Sequence, residues 1–354
     1  MARKTNRVLK TTEEDIAKIN PENKALIDDF LRFYKATDHS EATITVTKSN
    51  LYLFFCYVLK HIKNRHFAHI RRKDYINFQS YLLENELSPA RIRAIRSSIS
   101  SLSLYIEQNV IEEIDEELDV EEYELWKKWK NVINSIPAPK ANATREKTIM
   151  SEEDVQKLLD YLVSKKQYQK ACVLSLALNS GCRKSELNQF KTHFFDKSNI
   201  IFDGALYITP THIRTKGSGK LGKQLQKYTL VKDFDPYLKL WMEERERLNI
   251  DSEWLFVVKG ENGWEQMPVT TLNSYARSFS NILGTDFYWH SCRHNLCTKL
   301  CGLNFSAESI VSLFGWSSTE MVKIYNDNNE MDALAKYFKG GEIQRVEEKS
   351  LTDL

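Results

Sequence analysis

At 354 residues, 42% of them hydrophobic and 11% aromatic, the chain can bury substantial cores, and its length favours two or more domains over a disordered chain or a small disulfide scaffold. The longest apolar or aromatic run, Leu51–Leu59, is too short to cross a bilayer, and the basic start Met1–Lys10 has no apolar run behind it to make a signal peptide, so a soluble cytoplasmic protein is expected. The net charge of +2 hides an uneven distribution: Glu112–Glu124 holds nine acids and no Lys or Arg, and removing those nine leaves +11 on the other residues.

In chain order, residues 1–20 read as a basic N-terminal arm. Helical periodicity then marks residues 23–35, 43–61, 72–85 and 89–108, with little strand signal, so residues 21–134 are expected to form an all-helical module. Its Thr43-Ile44…Tyr52…Phe55 pattern points apolar side chains inward. Part of the basic excess gathers in Lys60–Lys73, which includes Arg71, Arg72 and Lys73, and part on the helix opening at Ser88-Pro89, where Arg91, Arg93 and Arg96 are expected to face outward. Such clusters can neutralise phosphates, although a solvated helix face accounts for any one of them equally well.

Ser135–Met150, with two prolines, small residues and charges, reads as a linker. Ser151-Glu-Glu-Asp154 then starts a helix, with Ser151 as N-cap and acids in the first turn. Residues 151–338 are expected to form a second domain: two helices, a short β region near 199–231, and helices to about Phe338, followed by a tail over 339–354. Alternation in Ala205–Thr209 and Lys227–Val231 predicts two strands. Gly217, Gly219 and Gly222 mark a turn between them, carrying Lys216 with Arg214, Lys220 and Lys223 as further cations able to neutralise phosphates. The six cysteines include no C-x-x-C pair and are expected to be reduced and mostly buried. Cys297 and Cys301 lie close enough in sequence to His290 and His294 for a zinc site to be drawn, but packing is the preferred reading and no metal is expected.

Three fragments carry candidate chemistry. In Ser180-Gly-Cys-Arg-Lys-Ser-Glu-Leu187, Gly181 can end one helix while Arg183 opens the next, which places a guanidinium beside free backbone N–H groups. Glu186 could hold Arg183 in place, and an ordinary surface ion pair is the alternative. In Trp289-His-Ser-Cys-Arg-His294, His290 and Arg293 share a helix face and could converge on one phosphate, the alternative being a packed, satisfied histidine. In Leu313-Phe-Gly-Trp…Ile-Tyr325, Gly315-Trp316 breaks a helix and the next one carries Tyr325, which by itself would be a packing residue.

Together these fragments resemble the three signature boxes of the tyrosine recombinases, also called the phage integrase family. The resemblance is firm from Ser151 to about Phe338 and looser over the N-terminal module. It implies a mainly α chain with a small β-hairpin or sheet: a helical, SAM-like core-binding domain that clamps DNA, followed by an α/β catalytic domain. The implied catalytic set is Arg183, Lys216, His290, Arg293, Trp316 and Tyr325, supported by Glu186 and His294, with no cofactor. Trp316 stands where many members have histidine but keeps an N–H donor, and Ser291-Cys292 replaces the commoner Asp-Leu.

Such a set suits a phosphodiester, whose pentavalent transition state gathers negative charge on its nonbridging oxygens. Arg183, Arg293 and Trp316 would hold those oxygens. A tyrosine nucleophile must lose a phenolic proton ordinarily held to a pKa of about 10, and His290 is the candidate base. Lys216 would protonate the departing 5′-hydroxyl, with Lys220 and Lys223 on the longer hairpin as rival donors, leaving a 3′-phosphotyrosyl bond that a second 5′-hydroxyl can reverse. The resemblance further implies double-stranded DNA at specific sites as substrate, assembly from dimer to tetramer on it, a C-terminal helix over Glu330–Phe338 docking on a neighbouring protomer, and accessory DNA-bending or directionality proteins. Two rival readings remain open from sequence: a catalytically silent DNA-binding protein such as a phage repressor, and a type IB topoisomerase-like relaxing enzyme.

Overall fold

The computed structural model describes residues 9, 11–115, 119–140, 150–217 and 222–328, together with the short strands at 338–339 and 342–343. The described residues form two compact units, one before residues 141–149 and one after them. Among them no helix is long and apolar enough to cross a membrane.

The first unit is helical: α1 Glu13–Ala17, α2 Pro21–Ala36, α3 Glu41–His61, α4 Arg72–Glu84, α5 Pro89–Ile106 and α6 Val120–Trp126. Local signals set the helix starts. Ser40 and Ser88 accept hydrogen bonds from the backbone N–H groups of Thr43 and Arg91, each at 3.2 Å, and prolines occupy the first turns of α2 and α5, where no N–H partner is needed. From Leu51 to Val58 every residue of α3 except Tyr52 is buried, so this helix forms the centre of the unit rather than one wall of it. Phe54 stacks on Tyr75 of α4 at 5.5 Å. Buried Asn23 ties down the loop after α3, donating to the Arg65 carbonyl (2.9 Å) and accepting from the Phe67 N–H (2.8 Å).

Three expectations change here. Residues assigned to an N-terminal arm are partly folded into the unit: Glu13–Ala17 forms α1, Ile19 is buried, and Lys60 donates to Asp15 at 2.6 Å. The segment assigned to the linker likewise begins inside the core, because Ile136 is buried beside Ile133. Arg96 does not face outward. Its guanidinium donates to Gln79 Oε1 (2.8 Å) and to the carbonyls of Ile133 (3.3 Å) and Ile136 (2.5 Å), so it fastens this segment to α4 and α5 instead of being free for DNA. Arg93 donates to the Pro139 carbonyl at 3.0 Å, while Arg91 is half-buried. Arm residues 1–8 and 10, the acidic residues 116–118, linker residues 141–149, residues 330–337 of the expected C-terminal helix and most of the tail lie outside the described residues, while Phe338 itself is in a strand.

The second unit begins with α7 Glu152–Ser164, where Ser151 caps as expected by accepting from the Asp154 N–H at 3.0 Å. There follow α8 Tyr168–Ser180, α9 Lys184–Leu187, β1 Ile200–Ile201, β2 Leu206–Ile208, β3 Ile213–Thr215, β4 Lys223–Leu225, β5 Tyr228–Leu230 and α10 Val231–Arg247. Next come β6 Val257–Gly260, β7 Gly263–Gln266, α11 Thr271–Leu283, α12 Trp289–Gly302, α13 Ala307–Phe314 and α14 Glu320–Tyr325, and finally the pair β8 Phe338–Lys339 and β9 Glu342–Ile343. The two strands expected from alternation, β2 and β5, pair antiparallel with Leu206 opposite Leu230, and β1 extends their sheet. Between them β3 and β4 make a separate hairpin with Thr215 opposite Lys223. The β6–β7 hairpin falls where only helices were expected, its turn closed at Gly260 and Gly263. Helix α8, buried on all sides from Ala171 to Ser180, is the axis on which α7, α10 and α12 pack. This mainly helical chain with small antiparallel sheets is the architecture the sequence predicts.

Candidate active site

The first fragment sits where buried α8 ends. Gly181 adopts φ +58°, and a Cβ there would lie 2.1 Å from Phe314, so only glycine lets the chain turn this close to α13. The turn delivers Arg183 to the N-terminus of α9, where its backbone N–H donates to Glu186 Oε2 (2.9 Å) and its Nη1 donates to Glu186 Oε1 (3.2 Å) and Thr215 Oγ1 (2.9 Å). Glu186 is fully buried and also receives Lys227 Nζ at 3.1 Å and the Thr215 hydroxyl. Burial works to raise its pKa, but Lys227, Thr215 and the Arg183 N–H outweigh it and hold the carboxyl below its ordinary value. Glu186 therefore stays ionised and clamps Arg183 and β3 together.

Lys227 was not among the residues singled out from sequence, where it read only as the start of a strand. It is 3% exposed, and removing it takes away one of the two cations, Lys227 and Arg183, that meet the buried carboxylate. With Arg183 and Thr215 still on Glu186, Lys227→Met is expected to destabilise the fold by about 1–3 kcal/mol. The lost stability is the part present above the carboxyl's unfolded pKa, because it comes from a depressed folded pKa, and Glu186→Gln added to Lys227→Met should restore some of it. Thermal melts at neutral pH check this; an unchanged midpoint for the single variant would contradict the clamp.

The second and third fragments meet beneath this turn. Helix α12 is anchored at its first residue by Trp289, whose indole N–H donates to the Leu272 carbonyl at 2.6 Å. One helical turn on, Arg293 is only 1% exposed and donates from Nη1 to the Gly181 carbonyl at 2.8 Å, which joins the second fragment to the first. Its guanidinium carbon lies 4.9 Å from the ring centre of Phe314, 5.0 Å from that of Trp316 and 5.6 Å from that of Tyr325. Burial and Arg183 both lower its pKa from the ordinary guanidinium value. Among the described residues, the buried side-chain donors without a hydrogen-bond partner are Arg293 Nε, Arg293 Nη2 and Trp316 Nε1, all in this cluster. Each such donor costs about 1–3 kcal/mol when left unpaired, so their grouping marks a place built to receive acceptor oxygens.

Tyr325, 6% exposed, ends α14 and stacks on Trp316 with ring centres 4.8 Å apart. Its hydroxyl lies 2.7 Å from His290 Nε2. Although His290 keeps access to solvent, partial desolvation of its ring disfavours the charged form, and His294, Arg293 and Arg183 add to this, so its pKa falls below the usual imidazole value. A neutral imidazole can accept the phenolic proton. His294 packs on the Tyr325 ring at 4.6 Å, and its Nδ1 lies 3.0 Å from Asp327 Oδ2.

Five of the six residues expected to act together, Arg183, His290, Arg293, Trp316 and Tyr325, thus line one site, with Glu186 and His294 supporting it. Lys216 follows β3 and is exposed; its neighbour Thr215 binds the Arg183 loop. Lys223 is exposed on β4, Arg214 is exposed on β3 with its backbone held by Gln189, and Lys220 lies outside the described residues. The residues missed from sequence are Lys227, Thr215, Asp327 and the Gly181 carbonyl; Asp327, two residues after Tyr325, carried no signal by itself. In the first unit, Arg71 and Arg72 line a cleft of about 590 Å³ together with Arg65, Lys128 and Lys130, and Lys73 is exposed nearby on α4. The cysteines are buried except Cys301, which is partly so.

The family model described as the phage integrase family matches residues 148–331. The SPbeta prophage-derived recombinase-like protein YomM of Bacillus subtilis (strain 168) is 28% identical over 290 residues, covering 82% of this chain and 81% of that protein. Among solved structures, the XerH site-specific recombinase bound to a palindromic difH substrate in a post-cleavage complex superposes with a TM-score of 0.66 at 16% identity, over 93% of this chain and 97% of that one. A lambda integrase dimer bound to a COC′ core site gives 0.60 at 14% identity, over 92% and 99%. Both structural similarities show a shared fold, and the family match spans the whole cluster from Arg183 to Tyr325; the chain belongs to the phage integrase family, the tyrosine recombinases.

Proposed function

We infer that this chain is a site-specific DNA recombinase that breaks and rejoins double-stranded DNA through a 3′-phosphotyrosyl intermediate on Tyr325. The observation that carries this reading is the pairing of two features in one cluster: three buried N–H donors awaiting acceptors, and a tyrosine hydroxyl already hydrogen-bonded to a histidine of lowered pKa.

A phosphodiester placed against Arg293, Trp316 and Arg183 gives those donors its nonbridging oxygens, and their fixed orientation stabilises the charge that grows there as phosphorus becomes pentavalent. The Tyr325 oxygen attacks phosphorus, its proton passing to His290 Nε2, and the bond from phosphorus to the 5′-oxygen breaks. Lys216, at the exposed end of its hairpin, supplies the proton that the 5′-oxygen takes. The phosphotyrosyl bond conserves the energy of the broken one, so a 5′-hydroxyl from a second strand can reverse the step and exchange partners. Cations around the first unit's cleft, Arg65, Arg71, Arg72, Lys128 and Lys130, neutralise phosphates of the bound duplex. Copies of the chain associate on the paired sites, as the lambda integrase dimer on its core site suggests by similarity. The protein acts on DNA in the cytoplasm.

Duplexes recovered bound to the protein in cells and rebuilt with a nick beside the cleavage point trap the intermediate, because the short 5′-fragment diffuses away. The expected result is a covalent adduct whose digestion yields a nucleotide-bearing peptide containing Tyr325. No adduct, or an adduct on another residue, would sink this reading.

A further inference from the structure

One stripe of α12 grips the segment around Tyr325 at three heights. His290 reaches the hydroxyl, His294 one turn later packs on the ring, and Thr298 one turn later again holds the backbone, with its hydroxyl donating to the Tyr325 carbonyl (3.3 Å) and accepting from the Asp327 N–H (2.9 Å). Asn328 adds a bond from Nδ2 to the Thr298 carbonyl at 3.1 Å. The chain therefore turns back onto α12 immediately after α14, and that turn delivers the Asp327 carboxylate to His294 Nδ1 at 3.0 Å. The Asp327 side chain is 3% exposed and that of His294 20%, so this is a largely desolvated pair. The phosphate-holding residues leave it unused: the donors facing the phosphate are on Arg183, Arg293 and Trp316, and His290 alone meets the phenol oxygen.

We propose that His294, oriented by Asp327, is a positioning residue for the nucleophile, setting both the angle at which the Tyr325 ring is held and the readiness of His290 to take its proton. The proposal rests on the assignment of Tyr325 as nucleophile and deepens it. Geometry supports the first role. The His294 ring packs beside both His290, at 5.7 Å, and Tyr325, at 4.6 Å, which also touch each other, and the bond to Asp327 removes the freedom of the imidazole to rotate away. A tyrosine at the end of a short helix needs such a stop, because the phenol oxygen must meet phosphorus in line and a displacement of 1 Å can cost on the order of 100-fold in rate.

Charge supports the second role. The groups facing His290 are Tyr325 from α14, His294 and Arg293 from α12, and Arg183 from the turn before α9; after burial, His294 lowers its pKa most, ahead of the two arginines. The bond to Asp327 holds His294 where it disfavours a proton on His290, so the pair helps to keep the base unprotonated. Removing the carboxylate should let the His290 pKa rise, moving the acid limb of the rate profile to higher pH.

The test uses the full chain and the nicked duplex described above, with single-turnover adduct formation measured across pH and DNA affinity measured separately. Asp327→Ala is expected to slow adduct formation by roughly 10- to 100-fold at unchanged DNA affinity and to move the acid limb upward. Asp327→Asn keeps an acceptor that can hold the imidazole, so it should recover most of the plateau rate and bring the limb back toward that of the parent. His294→Gln provides a second variant at the other end of the bond, with slowing and the same direction of shift. Rates within twofold of the parent, or a uniform slowing with an unmoved limb, would overturn the proposal. A parent protein that forms no adduct would instead overturn the recombinase reading beneath it.

Discussion

Tyr325→Phe is expected to lower covalent adduct formation by roughly 10⁴-fold or more while leaving affinity for the same duplex unchanged. The substitution removes the attacking atom and little else. The ring keeps its stacking on Trp316, its contact with His294 and its place below the Arg293 guanidinium. What is lost structurally is one hydrogen bond to His290, worth about 1 kcal/mol, so the variant should fold and bind. Sixteen tyrosines occur in the chain, and several are more deeply buried or more exposed than this one. An adduct that persists in Tyr325→Phe would therefore mean that another side chain is the nucleophile, and gel separation of denatured protein from labelled DNA distinguishes the outcomes directly. A chain that only occupies operators would bind equally well with either residue and form no adduct with either.

Arg293→Met should cut the rate of adduct formation by about 10³- to 10⁵-fold without lowering the melting temperature in proportion. Three of the site's donors are on this cation, but only Nη1 has a protein partner, the Gly181 carbonyl. The folded protein therefore carries a nearly fully buried guanidinium with two unpaired edges, which stability alone would not select. Methionine fills a similar volume among Phe314, Trp316 and Tyr325 and removes the buried charge, at the expense of one bond to Gly181. Activity and stability should thus separate, with rates from nicked duplex compared against melting curves. A loss of rate smaller than tenfold would show that the unpaired donors are not where the transition-state charge is met. A collapse of stability would show that the Gly181 contact, rather than the phosphate, is the chief reason for the arginine.

Much of the site was legible because its signals are local. A glycine followed by an arginine and, three residues later, a glutamate specifies a left-handed helix end and a capped new helix wherever it occurs, and Gly181, Arg183 and Glu186 do form that turn. His290 and Arg293 at i and i+3 share a helix face by geometry alone, and Ser151 capped the helix it was expected to cap. Helices in the first unit fell close to their periodic stretches for the same reason. The β6–β7 hairpin escaped because its eight strand residues alternate only weakly and include two glycines, a tryptophan and charged residues of both signs.

What the sequence by itself determined, then, is the succession of elements and the order of the chemical groups upon them, since caps, left-handed glycines and helical spacing act between near neighbours. Only the tertiary structure decided which groups are paired and which are left open. Arg96 looked like a free cation and is tied to three partners, whereas Arg293 looked like one half of a local pair and is held across 112 residues by a single carbonyl. Lys227 and Asp327 became part of the site only when folding brought them to Glu186 and His294. The physical reason is that burial and hydrogen-bond pairing depend on long-range packing, and in this fold packing leaves three donors unpaired beside Tyr325.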